Sequence, residues 1–162
     1  MVKNHCIITL LFLTCITFTL YAQNPLMQED NTKGEKASGR EITSDSLKWE
    51  YEKGTAVFTG NVTMKSKESE IGCSKMTVFF DKNDEIEKMV AEGDASLNRE
   101  TQKGAADTIE VYPAQNLIIL KGNAWISSQK ALFGGEEIRF DTAKEVINIT
   151  KGVKGEIQAE NR

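Results

Sequence analysis

A segment of eight residues recurs four times in this chain without a gap, and it constrains the fold more than any other feature. The four copies start at Ile42, Ile71, Gly104 and Phe133. Their starts are therefore separated by 29, 33 and 29 residues. A glycine follows each copy at a matched place: Gly60, Gly93, Gly122 and Gly152. A period of about 30 residues that recurs four times indicates a repeat architecture, in which neighbouring units complete one another's core.

Apolar and polar residues alternate in both segments of a unit, which is typical of half-buried β-strands. In the first unit, for example, Leu47, Trp49 and Tyr51 share one parity. No stretch after residue 22 sustains helical spacing with caps. Turn-forming residues separate the segments at positions 53–54, 81–84, 113–116 and 141–144. The sequence therefore predicts an all-β fold with two strands per unit and about eight strands in all.

Each unit also carries the signature of a bend. The leading residue and the first strand anchor are five residues apart, as Ile42 and Leu47 are, and an odd separation places them on opposite faces of a regular strand. If both face inward, the strand has a bulge or corner between them. The predicted corners lie near Asp45, Ser74, Asp107 and Glu136. The matched glycines suit a second bend or a close backbone approach. A sheet bent in every layer folds over on itself and encloses an apolar lumen.

The first 22 residues have the features of a secretory signal peptide. A positive charge near the start precedes an uncharged apolar run over residues 6–20, and Ala22 is the small residue expected at the cleavage site. Leu20 is larger than the residue usual three positions before a cut, so a retained membrane anchor stays an alternative. Lipid attachment at Cys15 is a further, less favoured alternative. We expect residues 23–41 to be flexible, residues 42–157 to form the domain and residues 158–162 to be a tail.

Removal of the signal peptide would change which reactive side chains the chain contains. It takes out the single His and two of the three Cys, and it leaves 19 Lys and Arg against 24 Asp and Glu, a net charge of −5. Catalysis by Ser-His-Asp or Cys-His groups and zinc sites of His and Cys are then excluded. We expect Cys73 to be a small core residue and residues 81–85 to be a polar turn rather than a calcium loop. The net negative charge argues against nucleic acid as a partner, and an enzyme is the least favoured reading.

Two units share one consensus form most clearly. It reads apolar, small, small, Asp, x, apolar, x, aromatic, followed by apolar, x, Gly-Asn-Val. The closest matches are residues 42–49 with 58–62, and 106–111 with 120–124. In this form the chain resembles the lipopolysaccharide-transport protein A family, also called LptA or OstA-like. The fourth unit departs from this form at Val153 and Lys154, which suggests that it is a terminal cap. A second departure is that Ser74 and Glu136 occupy the position at which the family has Asp.

The resemblance implies a folded-over, V-shaped β-jellyroll built from about four two-strand repeats, located in the periplasm of a bacterium with an outer membrane. It implies that the protein shields the acyl chains of lipopolysaccharide in an apolar groove and forms part of a bridge from the inner to the outer membrane. The implied partners are an inner-membrane LptC-like protein, an outer-membrane LptD-like translocon and further copies of the chain, stacked head to tail. No cofactor is implied.

The predicted groove is lined by apolar residues of one strand parity. These are Trp49, Phe58, Val62, Met76, Val78, Phe80, Ile109, Val111, Leu120, Ile126, Ile138 and Phe140. The alternative is that they fill a dry core, as strand-alternating apolar residues usually do. Basic residues are candidates for contact with lipid phosphates at the groove rim, or for a solvated sheet face. They are Lys65, Lys67, Arg99, Lys103, Lys130 and Arg139.

Three functions remain open at this point. The favoured hypothesis is a periplasmic lipopolysaccharide carrier. The second is a membrane-anchored LptC-like relative that hands lipid to such a carrier. The third, from a different class, is a structural β-solenoid scaffold without a ligand, since a period of about 30 residues fits that architecture too.

Overall fold

The computed structural model describes residues 39–157. The strands are β1 (Glu41–Thr43), β2 (Ser46–Glu50), β3 (Thr55–Lys65), β4 (Glu70–Phe80), β5 (Ile86–Arg99), β6 (Gln102–Tyr112), β7 (Leu117–Ser127), β8 (Ala131–Asp141), β9 (Val146–Thr150) and β10 (Lys154–Ile157). Single 3-10 turns span Tyr51–Lys53 and Pro113–Gln115. No helix within this part of the chain has the length and hydropathy to cross a membrane. The predicted signal peptide, most of the predicted flexible segment and the predicted tail lie outside the described residues.

All the strands belong to one antiparallel sheet, which confirms the all-β prediction. Its order is β1-β3-β4-β5-β6-β7-β8-β10, with β2 also paired to β3 and β9 also paired to β8. Within residues 39–157 ten strands are present rather than about eight, because the first and the last strand of the sheet are each interrupted at the bend. If β1 with β2 and β9 with β10 are counted as one bent strand each, four two-strand repeats remain. The antiparallel pairing differs from the stacked parallel coils of a regular β-solenoid.

Every layer bends at the place that the repeats predict. The ladders shift register between Thr59 and Val62, between Glu92 and Ala95, and between Lys121 and Ala124. In each shift a glycine and the residue after it have positive φ, as Gly122 (φ 74°) and Asn123 (φ 46°) do. The positions predicted on the first strands lie directly opposite these glycines. The two bends inferred from the sequence are therefore one corner per layer, shared by neighbouring strands.

The corner is held by a repeated side-chain arrangement. The Asn61 amide donates a hydrogen bond to the Asp45 carboxylate over 2.9 Å, and Asn123 donates to Asp107 over 3.0 Å. A Cβ on Gly122 would overlap the Asp107 carboxylate, so the glycine is required both by its φ and by this close approach.

The fourth unit keeps the corner with different chemistry. The Glu136 N–H donates to the Lys151 carbonyl over 2.9 Å, and the two side chains lie 3.8 Å apart as an ion pair. The family motif is therefore absent from this unit, whereas the bend is retained.

The corners divide the sheet into two halves that face each other. Half-sheet A contains β2, β9 and residues 55–59, 75–80, 86–92, 108–112, 117–121 and 137–141; half-sheet B contains β1, β10 and the remaining parts of β3 to β8. Their facing sides share one apolar core, to which half-sheet A contributes Ile109 and Phe140 and half-sheet B contributes Met64 and Ile71. Each fully buried side chain of this size stabilises the fold by about 1.5 to 3 kcal/mol. The fold thus places an apolar interior between two half-sheets that separate at the edge away from the corners.

Candidate functional site

All twelve residues predicted to line a groove lie on the inner side of the folded sheet. Eight of them are at most 2% exposed: Val62, Met76, Val78, Ile109, Leu120, Ile126, Ile138 and Phe140. Phe58, Phe80 and Val111 are half-buried against this core. Side chains fill the middle of the interior, and the open apolar surface lies at its mouth and its ends. Contact between these residues and a lipid stays a prediction.

Trp49 differs from the other eleven because it is 60% exposed. It stands on the inner side of β2, at the N-terminal end of the sheet, opposite the small Ala56. Its indole stacks on the Phe80 ring, with ring centroids 6.1 Å apart and an interplanar angle of 11°. Since no strand lies beyond β2 in the described residues, the apolar inner surface continues to this end of the sheet and is left uncovered there.

A cavity of about 770 Å³ lies at the mouth, where the two half-sheets separate. Met64 and Ile71 of half-sheet B and Val111 and Ile118 of half-sheet A form its apolar floor. The rim carries four basic residues, Arg40, Lys65, Lys67 and Arg99, against two acidic residues, Glu41 and Glu68. The mouth is therefore locally basic on a chain whose net charge is −4. A volume of this size is within the range of small-molecule sites.

The structure distinguishes among the six basic residues that were equivalent candidates in the sequence, because only some of them line the cavity at the mouth. Three of them, Lys65, Lys67 and Arg99, line the cavity. The side chains of the other three are directed elsewhere: Lys103 and Lys130 are exposed, and Arg139 lies on the outer face in an ion pair with Glu137 over 3.1 Å. Lys65 is itself within 3.6 Å of Glu70, and both side chains are about half exposed, so solvent screens that pair.

Arg99 is the least exposed of these basic side chains. Its relative exposure is 14%, its guanidinium carbon lies 5.1 Å from the centroid of the Phe140 ring, and it is paired with Glu68 over 3.0 Å. Because Arg99 ends β5 in half-sheet B and Phe140 belongs to half-sheet A, this cation–π contact crosses the mouth. The alternation of β5 could have predicted this position from the sequence. Ala95 and Leu97 face inward, so Arg99, two residues after Leu97, faces inward as well.

The outer face of half-sheet A carries a polar network on β6 and β7, between the mouth and the corner. The Tyr112 hydroxyl donates to Glu110 over 2.9 Å, and the Lys121 ammonium lies 3.0 Å from the same carboxylate. Burial alone would raise the pKa of Glu110, but the hydrogen bonds from Lys121 and Tyr112 outweigh it and hold that pKa below its ordinary value. Burial, followed by the hydrogen bond to Glu110, raises the pKa of Tyr112. Glu110 is therefore ionised at neutral pH.

Two other residues discussed from the sequence have structural positions. The Cys73 thiol is half-buried beside the core, and burial raises its pKa, so it is a protonated thiol rather than a reactive thiolate. The Asp81 carboxylate accepts hydrogen bonds from the N–H groups of Asn83 over 2.8 Å and Glu85 over 3.0 Å, and these bonds lower its pKa. Asp81 thus stabilises a polar turn between β4 and β5.

The two ends of the sheet are apolar and exposed. At the N-terminal end Leu47 is 51% exposed beside Trp49, and at the C-terminal end Ile157 is 76% exposed. Within residues 39–157, β1 and β2 pair only with β3, and β9 and β10 pair only with β8. Each end therefore presents unpaired backbone groups next to apolar side chains, and such an edge is a template for pairing with another strand.

The fold and this site define a class of protein: a folded-over β-jellyroll with an apolar interior, a basic mouth and free edges. The profile of the family described as LptA/(LptD N-terminal domain) LPS transport protein matches residues 41–146. The chain belongs to this family.

Two comparisons with individual proteins agree with that assignment. The chain is 23% identical over 123 residues to the lipopolysaccharide export system protein LptH of Pseudomonas aeruginosa, and the match covers 72% of this chain and 70% of LptH. The fold is similar to the crystal structure of LptH, described as the LptA homologous periplasmic component of the lipopolysaccharide transport device of that organism. The TM-score is 0.71 and the identity 21%, with 75% of this chain and 96% of that chain covered.

Proposed function

We propose that this protein is a periplasmic carrier of lipopolysaccharide, which shields the acyl chains in the apolar groove that opens at the mouth and the ends of its folded sheet, and which forms part of the bridge from the inner to the outer membrane. The observation that carries the proposal is the apolar interior, open at a basic mouth, in a chain of the lipopolysaccharide-transport family. Each methylene removed from water contributes roughly 0.8 kcal/mol, so a site of this kind favours long acyl chains.

Titration of the purified mature chain with lipid A, followed by tryptophan fluorescence, tests the proposal. Phe58 is half-buried on the inner side of β3, and Thr59 is exposed beside it. Phe58→Asp is expected to abolish binding, because it places a charge on the apolar surface. Thr59→Asp is the matched control and is expected to bind as the natural chain does. Both variants are compared by β circular dichroism. Equal binding by Phe58→Asp and the natural chain would contradict the carrier function.

The free edges support a proposal about partners. An LptC-like inner-membrane protein and an LptD-like outer-membrane translocon would add strands at opposite ends of the sheet, and further copies of the chain would stack head to tail between them. Trp49→Glu places a charge on the apolar inner face of β2. Lys48→Glu changes the neighbouring residue, which lies on the outer face of the same strand. In analytical ultracentrifugation, we expect concentration-dependent self-association to be lost in the first variant and kept in the second. Unchanged association in both variants would contradict pairing at this end.

The periplasmic location and the choice between a cleaved and an anchored form depend on the predicted signal peptide. Cleavage after Ala22 would release a carrier, whereas retention would give a membrane-anchored LptC-like relative. Intact-mass measurement of the exported product distinguishes the two, since a chain that starts at Gln23 has no anchor.

A further inference from the structure

The inner side of the folded sheet is apolar along almost its whole length. Among the inward positions of the described strands, one carries a charged side chain. This residue is Arg99, two positions after the core residue Leu97. It lies at the mouth, where the apolar floor meets the basic rim. A largely buried cation is costly unless it is paired, so the partners of Arg99 determine what this position can bind.

The contacts of Arg99 would allow its ionic partner to be replaced by another anion. The Phe140 ring supports one face of it, at 5.1 Å, and fixes the group at the mouth. Its ionic partner, Glu68, lies in the turn between β3 and β4 and has a side chain that is 60% exposed. Because Glu68 gains little from this pair and is well hydrated without it, another anion can replace it at small cost.

The neighbour of Arg99 provides a second observation. Gln102 lies directly opposite Arg99 in the β5–β6 ladder, and it also faces inward. Its side-chain oxygen is buried and has no hydrogen-bond donor among the described residues. Buried polar atoms are nearly always paired, so an acceptor left without a donor beside a cation marks a polar site within the apolar surface.

We propose that Arg99 binds the anionic headgroup of the lipid carried by this protein, a phosphate monoester on an acylated sugar. The planar guanidinium suits two parallel hydrogen bonds to a phosphate, which would take the place of Glu68. The acyl chains would then lie against Met64, Ile71 and Val111 on the floor of the mouth. This assignment rests on the proposed carrier function and adds the residue that recognises the charge of the carried lipid.

The test compares two lipids on three proteins. The natural mature chain, Arg99→Gln and Lys103→Gln are titrated with bisphosphorylated lipid A and with the same lipid after enzymatic dephosphorylation. Lys103 is the control, because it is exposed on the outer face of β6 near the mouth and does not line the cavity. A bidentate contact to a charged group corresponds to about a tenfold preference. We expect this preference in the natural chain and in Lys103→Gln, and its loss in Arg99→Gln without weaker binding of the dephosphorylated lipid.

Each contrary outcome has a distinct meaning. If the natural chain binds both lipids equally, the Arg99 assignment is wrong while the carrier function stands. If it binds neither lipid, both are wrong. If Arg99→Gln weakens both lipids by the same factor, Arg99 acts in packing against Phe140 and not in headgroup recognition. Competition by millimolar inorganic phosphate, which we expect to be absent, would indicate a site for free phosphate and would overturn the lipid assignment.

A second variant protects the test against a loss of folding. Arg99→Lys keeps the charge but cannot form the planar bidentate contact. We expect it to retain roughly a threefold preference for the phosphorylated lipid, between the natural chain and Arg99→Gln. Thermal unfolding of all variants checks that they are folded at the temperature of the titration. A complete loss of preference in a folded Arg99→Lys would contradict charge recognition at this position.

Discussion

The corner and the mouth are opposite edges of the same folded sheet, and they are built in different ways. At the corner, neighbouring layers repeat the same elements: a glycine with positive φ, an adjacent residue with positive φ and an opposing polar side chain, as in Gly122, Asn123 and Asp107. At the mouth, turns of unrelated sequence surround a cavity of about 770 Å³, and individual residues such as Arg99 have no counterpart in other layers. Repetition therefore sets the shape of the protein, whereas single residues at the mouth are available for recognition.

This difference predicts that substitutions at the corner act on stability. The largest effect is expected for Gly122→Ala, since a Cβ there would overlap the Asp107 carboxylate and the residue has a φ of 74°. We expect it to lower the free energy of unfolding by about 3 kcal/mol, measured by urea denaturation. Gly152→Ala is the matched control: its φ is 65°, but a Cβ there meets nothing within 4 Å, so the expected cost is only about 1 kcal/mol. Equal costs would show that the close approach at the corner is not tight.

The next effect concerns the carboxylate of the corner. Asp107→Ala removes the acceptor of the Asn123 side chain and is expected to lower the free energy of unfolding by about 1 kcal/mol. Asp107→Asn keeps an acceptor and should cost less. Because Asp107 is the group that a Cβ at Gly122 would overlap, the double variant Gly122→Ala with Asp107→Ala should be more stable than the sum of the single effects predicts. Strict additivity in urea denaturation would contradict this coupling.

The smallest effect is expected on the outer face of half-sheet A, between the mouth and the corner. Lys121 and Tyr112 lower the pKa of Glu110, so this carboxylate stabilises the folded state above the pKa of the unfolded chain. The contribution is lost as the pH falls through the lowered pKa of the folded state. Glu110→Gln is expected to lower the free energy of unfolding by about 0.5 kcal/mol at pH 7 and by nothing once the pH is below that pKa. A difference that persists in acid would show that the ion pair is not its cause.

Much of the fold could be predicted because four units repeat the same pattern of apolar, polar and glycine residues. Strand alternation identified the inner faces, and the odd separation between Ile42 and Leu47 located the first corner. The strand number was less accurate, because local alternation does not show whether the chain stays paired through a bend. Trp49 has the parity of the core residues but is 60% exposed, since parity fixes the face of a residue and not what covers it.

The site was less predictable than the fold. Six basic residues were equivalent in sequence, and only the folding of the sheet brings Lys65, Lys67 and Arg99 to one cavity. The contact between Arg99 and Phe140 joins the two half-sheets, and the pair with Glu68 joins positions 31 residues apart. No periodicity within a strand contains such information. Gln102 was missed because its significance depends on an unpaired oxygen, a property of the packed structure.

Photo-crosslinking in cells tests the central claim, that lipid lies between the half-sheets, most directly. A photoreactive benzoylphenylalanine in place of Phe58 keeps an aromatic ring at a half-buried inward position, and the same residue in place of the exposed Thr59 reports the outer face. We predict a lipopolysaccharide adduct at position 58 and little or none at position 59. Absence of an adduct at position 58 in a folded, exported protein, or equal adducts at both positions, would contradict the account.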